Sequence, residues 1–101
     1  MSAAKPDLVL ENQEDVRNVL QLRDRLAEVL AKPRKKTVRI EVSAVERIDA
    51  SALQLLTAFK LALRQQQRAL EWMGDSEAFQ RAVRGLGLNE HLHVAVVSDA
   101  A

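Results

Sequence analysis

Apolar positions along the chain follow two periods, and the switches between them mark out the elements. Val19, Leu22, Leu26 and Val29 recur three or four apart and Leu30 follows Val29 directly, which puts all five on one stripe of a helix. Asn18 stands at the N-cap position of that helix. Pro33 stops it, since proline lacks an N–H and crowds the preceding turn. Thr37-Val38-Arg39-Ile40-Glu41-Val42 then alternates and is rich in β-branched residues, predicting a strand with Val38, Ile40 and Val42 on one face. A connector from Ser43 to Ala50 follows, with Val45 and Ile48 expected to turn inward. The helical period returns from about Ser51 to Gln67, where Ala52, Leu55, Leu56, Phe59, Ala62 and Leu63 share one sector.

Ala69 to Met73 predicts another strand, closed by Gly74. Asp75 or Ser76 caps a third helix whose stripe is Phe79, Ala82, Val83 and Leu86, with Gly87 just past its end. Asp7 to Glu11 is a short strand candidate at the front, and Leu92 to Val97 one at the back. Strands alternating with singly striped helices imply an α/β fold: one mixed sheet of about four strands, with amphipathic helices packed on one face. Its 101 residues suit one domain, expected at 7–97, between a disordered tail at 1–6 and a short tail at 98–101.

Composition removes several function classes. A net charge of +1 gives no general drive toward nucleic acid or anionic membrane. Phe59, Trp72 and Phe79 are the only aromatic residues, and they are too scattered for a base-stacking platform. The basic run Lys32-Pro33-Arg34-Lys35-Lys36 is either an attractor of phosphate or an acidic partner or, as such runs more often are, a solvated loop whose charge suits a helix C-terminus. Cysteine is absent, and His91 and His93 are the only imidazoles. They share a face if extended, as a weak clip or simply as surface histidines. No nucleophile has a partnered base, and no glycine-rich phosphate loop follows a strand. Catalytic residues, a metal site and a cofactor are therefore not expected. No apolar run reaches the ~20 residues of a membrane span and no signal-peptide core is seen, so the expectation is a cytoplasmic protein without membrane insertion.

The stretch from Val42 through Glu46-Arg47-Ile48-Asp49-Ala50-Ser51-Ala52-Leu53-Gln54 to Leu56 resembles the signature of the STAS family, the anti-sigma factor antagonists and their relatives. Ala69 to Trp72 and Phe79 to Leu92, including Leu86-Gly87-Leu88, resemble the family's last strand and helix. The resemblance implies a non-catalytic regulatory module that binds a protein partner through the Asp49–Ser51 turn and the helix after it. In phosphorylated members the modified hydroxyl directly follows the Asp. That position is Ala50 here, which makes Ser51, one place later, the phosphorylation candidate. The implied partner is a GHKL-type kinase, an anti-sigma factor or a chemotaxis signalling protein. Ala52-Leu53-Gln54-Leu55-Leu56 also resembles short stand-alone STAS proteins, some of which sit with chemotaxis or two-component genes; others, of the MlaB kind, imply as the alternative a subunit held constitutively on the ATPase of an ABC-type lipid transporter.

The residues themselves leave two readings at each point. Ser51-x-x-Gln54 is a capping box, and a helix N-terminus also tolerates a phosphoserine. Asp49 complements the helix dipole or helps form the contact turn. Leu53, Thr57 and Leu61, spaced i, i+4, i+8 away from the core sector, are either a docking stripe or ordinary exposed residues.

Overall fold

A computed structural model describes residues 5–32, 35–88 and 92. In chain order the elements are β1 (Leu8–Val9), β2 (Gln13–Glu14), α1 (Val19–Ala31), β3 (Thr37–Glu41), β4 (Arg47–Ile48), α2 (Ala50–Gln65), β5 (Ala69–Met73) and α3 (Glu77–Gly85). The strands form two parallel sheets, β1-β3-β5 and the small pair β2-β4. The α/β class stands, while the strands divide differently from the expected single mixed sheet. The front strand is only Leu8–Val9, and a second pair of strands lies in what the sequence presented as a loop and a connector.

Register explains which face carries the helices. Ile40 sits opposite Leu8 on one side and Trp72 on the other, and Val38 sits opposite Leu70. These apolar residues share the pleat that faces the core, where Leu8, Val38 and Ile40 are buried. The opposite pleat carries Arg39 and Glu71 as an ion pair at 3.2 Å, together with Glu41. Helices therefore cover one face only, as the single stripes predict. Because the strands are parallel, each connecting helix runs back against them. The N-termini of α1 and α2 thus lie together at the carboxyl ends of the strands.

The core joins both sheets and all three helices through Leu10, Leu22, Ile40, Val45, Ile48, Leu56, Leu63, Phe79 and Val83. Val45 and Ile48 turn inward as expected. Ser76 caps α3, its hydroxyl accepting from Phe79 N at 3.0 Å and donating to Val45 O at 2.8 Å. Gly87 has φ +68 just past the C-cap, the left-handed conformation glycine supplies there. Leu86, placed on the α3 stripe, is the C-cap residue and is largely exposed. Asn18 occupies the α1 N-cap without capping. Its side chain instead accepts from Asp15 N and donates to Gln13 O, closing the loop before the helix. Leu92, expected to open a strand, is helical and buried, its N–H donating to Leu88 O at 2.9 Å. His91, His93 and the rest of the proposed last strand lie outside the described residues.

Candidate partner-binding turn

β4 ends at Ile48 and the chain enters α2 through Asp49, whose extended backbone (φ −113, ψ −178) is the usual N-cap geometry. One carboxylate oxygen, Oδ1, accepts from Ser51 Oγ at 2.6 Å and from Ala52 N at 3.2 Å. The other, Oδ2, accepts from Val16 N at 3.0 Å, across to the β2–α1 loop. The Asp49 N–H donates to Glu14 O at 3.1 Å. Burial pushes the Asp49 carboxyl pKa up, and the hydrogen bonds from Ser51, Ala52 and Val16 outweigh it, holding the carboxyl below its ordinary value.

This corrects the capping-box reading. Asp49, not Ser51, caps α2, and the helix opens at Ala50. Ser51 lies within the first turn and donates to the capping carboxylate. Either residue can cap by type, and the choice falls to the one with extended backbone.

Leu53 is the larger correction: it is fully buried, a core residue rather than part of an exposed stripe. At about 100° per residue the buried set Ala52, Leu53, Leu56, Phe59 and Leu63 spans about 120° of the helix. That arc is wider than one stripe because α2 packs against α1 on one side and β5 on another. Thr57 is half-buried, its hydroxyl donating back to Leu53 O at 2.9 Å. Leu61 is 53% exposed and Ala50 is exposed. Of the candidates, Asp49, Ala50 and Ser51 come together at the turn, Leu61 lies about three helical turns away along α2, and Leu53 sits beneath the surface.

Two residues not singled out in the sequence belong to this end of the molecule. Val16 is 69% exposed and bonded to Asp49, and Leu20 is 60% exposed in the first turn of α1. Their signal was available: they are apolar and four apart, yet off the stripe of Val19, Leu22 and Leu26. Farther along α1 and α2, Leu26, Ala27, Leu30, Leu55, Ala58 and Phe59 line a shallow apolar groove of about 180 Å³. A larger cavity of about 250 Å³, lined in part by Asp7, Lys35 and Arg68, lies at the opposite end, where Lys35 pairs with Asp7 at 3.1 Å and Arg68 Nε donates to Lys35 O at 2.8 Å.

Below the turn, Glu14 is fully buried and accepts from both Arg25 Nη2 (3.0 and 3.1 Å) and Glu11 N (2.7 Å). Arg25 also donates to Val9 O at 3.0 Å. The ion pair joins both sheets to α1 directly under the loop that carries Val16.

A protein-family model described as "Mlab, STAS domain" matches residues 1–97. The chain belongs to the STAS family. Two solved structures share this STAS fold. An anti-sigma factor antagonist from Mycobacterium paratuberculosis aligns with a TM-score of 0.74 at 19% identity, over 96% of this chain and 84% of that one. A sulfate transporter family protein from Wolinella succinogenes aligns with a TM-score of 0.70 at 20% identity, over 90% and 75%. No curated protein matches the sequence significantly. STAS domains are generally non-catalytic and bind protein partners. Among the described residues of this one, no helix is long and apolar enough to cross a membrane and no cluster of three metal-ligating side chains occurs.

Proposed function

We propose that this STAS domain is a non-catalytic binding module of the cytoplasm whose contact surface is the Asp49–Ser51 turn, extended by Thr57 and Leu61 on α2 and by Val16 and Leu20 beside it. It engages a protein partner, with no nucleic acid, cofactor or membrane insertion involved. Binding is constitutive. The observation that carries this is the commitment of the Ser51 hydroxyl to the Asp49 carboxylate at 2.6 Å. A phosphate on Ser51 would remove that donor and set two anions in contact at the helix cap. The position where switched members of the family carry their hydroxyl is Ala50, which cannot be phosphorylated. Both points favour the MlaB-like reading, a subunit bound to the ATPase of an ABC-type lipid transporter. The match to an MlaB-type family model supports it too.

The second reading is a switched antagonist that binds a GHKL-type kinase, an anti-sigma factor or a chemotaxis signalling protein and is released by phosphorylation of Ser51. The fold likeness to an anti-sigma factor antagonist favours it. Affinity capture of the tagged chain from its native lysate, with mass spectrometry of the partners and of Ser51, separates the two. A transporter ATPase with unmodified Ser51 is the expected result. A kinase or signalling protein together with phosphorylated Ser51 would replace the constitutive reading with the switched one. Leu61→Asp should lose at least about tenfold in affinity for the captured partner while its melting temperature stays within about 2 °C of the wild type. Unchanged affinity would remove Leu61 from the contact surface.

A further inference from the structure

Residues 15–18 form a loop closed by its own bonds. Asp15 N donates to Asn18 Oδ1 at 2.8 Å, Asn18 N donates to Asp15 O at 3.0 Å, and Arg17 N donates to Asp15 Oδ1 at 2.9 Å. The loop's tie to the α2 cap is the bond from Val16 N to Asp49 Oδ2. The partner oxygen of that carboxylate, Oδ1, holds Ser51 Oγ and Ala52 N. A carboxylate is one planar group, so a rotation that moves Oδ1 away from Ser51 also moves Oδ2 away from Val16.

We propose that Asp49 couples Ser51 to the β2–α1 loop, so that an acidic group at position 51 releases the Val16 amide and loosens the loop's hold on the α2 turn. An acid at that position cannot donate to Asp49 and repels it at contact distance. The Asp49 side chain turns to another rotamer and takes Oδ2 off the Val16 N–H. Water replaces the lost bond readily, because Val16 is largely exposed, and the net cost of release is small. Ser51→Ala behaves differently. It removes a donor and adds no charge, so Asp49 keeps Ala52 N and Val16 N.

The coupling is a property of the chain alone. Its failure would leave the proposed partner binding standing, and a failure of partner binding would leave the coupling standing. Amide hydrogen exchange followed by NMR on the full ¹⁵N-labelled chain tests it. In Ser51→Asp the Val16 amide should exchange about tenfold faster than in the wild type, while the amides of Val38 and Leu63 keep their rates. In Ser51→Ala the Val16 rate should stay within about twofold of the wild type. A Val16 rate unchanged in Ser51→Asp overturns the proposal. If Ser51→Asp speeds all amides together, Asp49→Ala decides. It removes both arms of the carboxylate and must free Val16 selectively, and a Val16 amide as protected as in the wild type would show that Asp49 does not hold the loop.

Discussion

Leu53 shows how much one side chain's placement decides. With no exposure and a place in the core beside Leu56 and Phe59, truncation to Ala should cost about 2–5 kcal/mol, the range for leucine cavities. Chemical denaturation of Leu53→Ala measures this directly, and a loss below about 1 kcal/mol would return Leu53 to the surface. Asp49 is testable through pH. Its carboxyl pKa is lower in the folded chain than its ordinary value of 3.8, so its contribution is complete above that value. Stability should therefore fall as pH drops through about 3.8 and continue to fall until the folded carboxyl is protonated. Asp7 and Asp15 are lowered too, Asp7 by hydrogen bonds from Arg39 and Lys35 that outweigh its burial, and Asp15 chiefly by Arg17. Asp49→Asn should thus flatten only part of the acid limb of a melting-temperature profile between pH 5 and 2.5, and an acid limb identical to that of the wild type would mean that the Asp49 charge contributes no stability.

Among the elements, the pair of buried Glu14 and half-buried Arg25 under the contact loop is the most sensitive to disruption. Arg25→Ala would leave the Glu14 carboxylate buried without its cation, at a cost of about 3 kcal/mol. Replacing both, as Glu14→Leu with Arg25→Met, should recover most of that loss, since an apolar pair of similar volume needs no desolvation of charge. Urea denaturation of the two variants checks it, and a double variant no more stable than Arg25→Ala would mean that the pair's hydrogen bonds to Val9 and Glu11 dominate. Glu14 also marks a limit of sequence reading. The long elements were legible, with β3 expected at 37–42 and found at 37–41, and β5 found at 69–73 as expected. β2 and β4 were not, because two-residue strands have no period to detect, and one of them buries a charged side chain whose partner lies eleven residues away. The site was half legible for a related reason. Asp49, Ala50 and Ser51 are contiguous, so their proximity needs no tertiary information, whereas the Val16–Asp49 bond spans 33 residues. Leu53 was misplaced because a helical wheel shows which residues share a direction and not how many neighbours surround the helix.

For the molecule as a whole, Trp72 offers a single reporter. It is the only tryptophan, its ring lies 5.1 Å from that of Phe79, and its Nε1 donates to Leu92 O at 3.0 Å. One core joins both sheets and all three helices, so thermal unfolding followed by Trp72 fluorescence and by helical circular dichroism should give one coincident transition. Separate midpoints would mean that α3 and its contacts unfold apart from the rest. The parallel sheets also have a kinetic consequence. Every described strand pair joins segments distant in the chain, Leu8 with Ile40 and Val38 with Leu70 among them, so no hairpin is available as an early local nucleus. Closing such spans costs chain entropy before any pairing repays it. The central strand β3 gains its second neighbour only when β5 arrives, so a chain emerging from the ribosome must hold the Val38–Ile40 edge unpaired until residue 73 has cleared the exit tunnel.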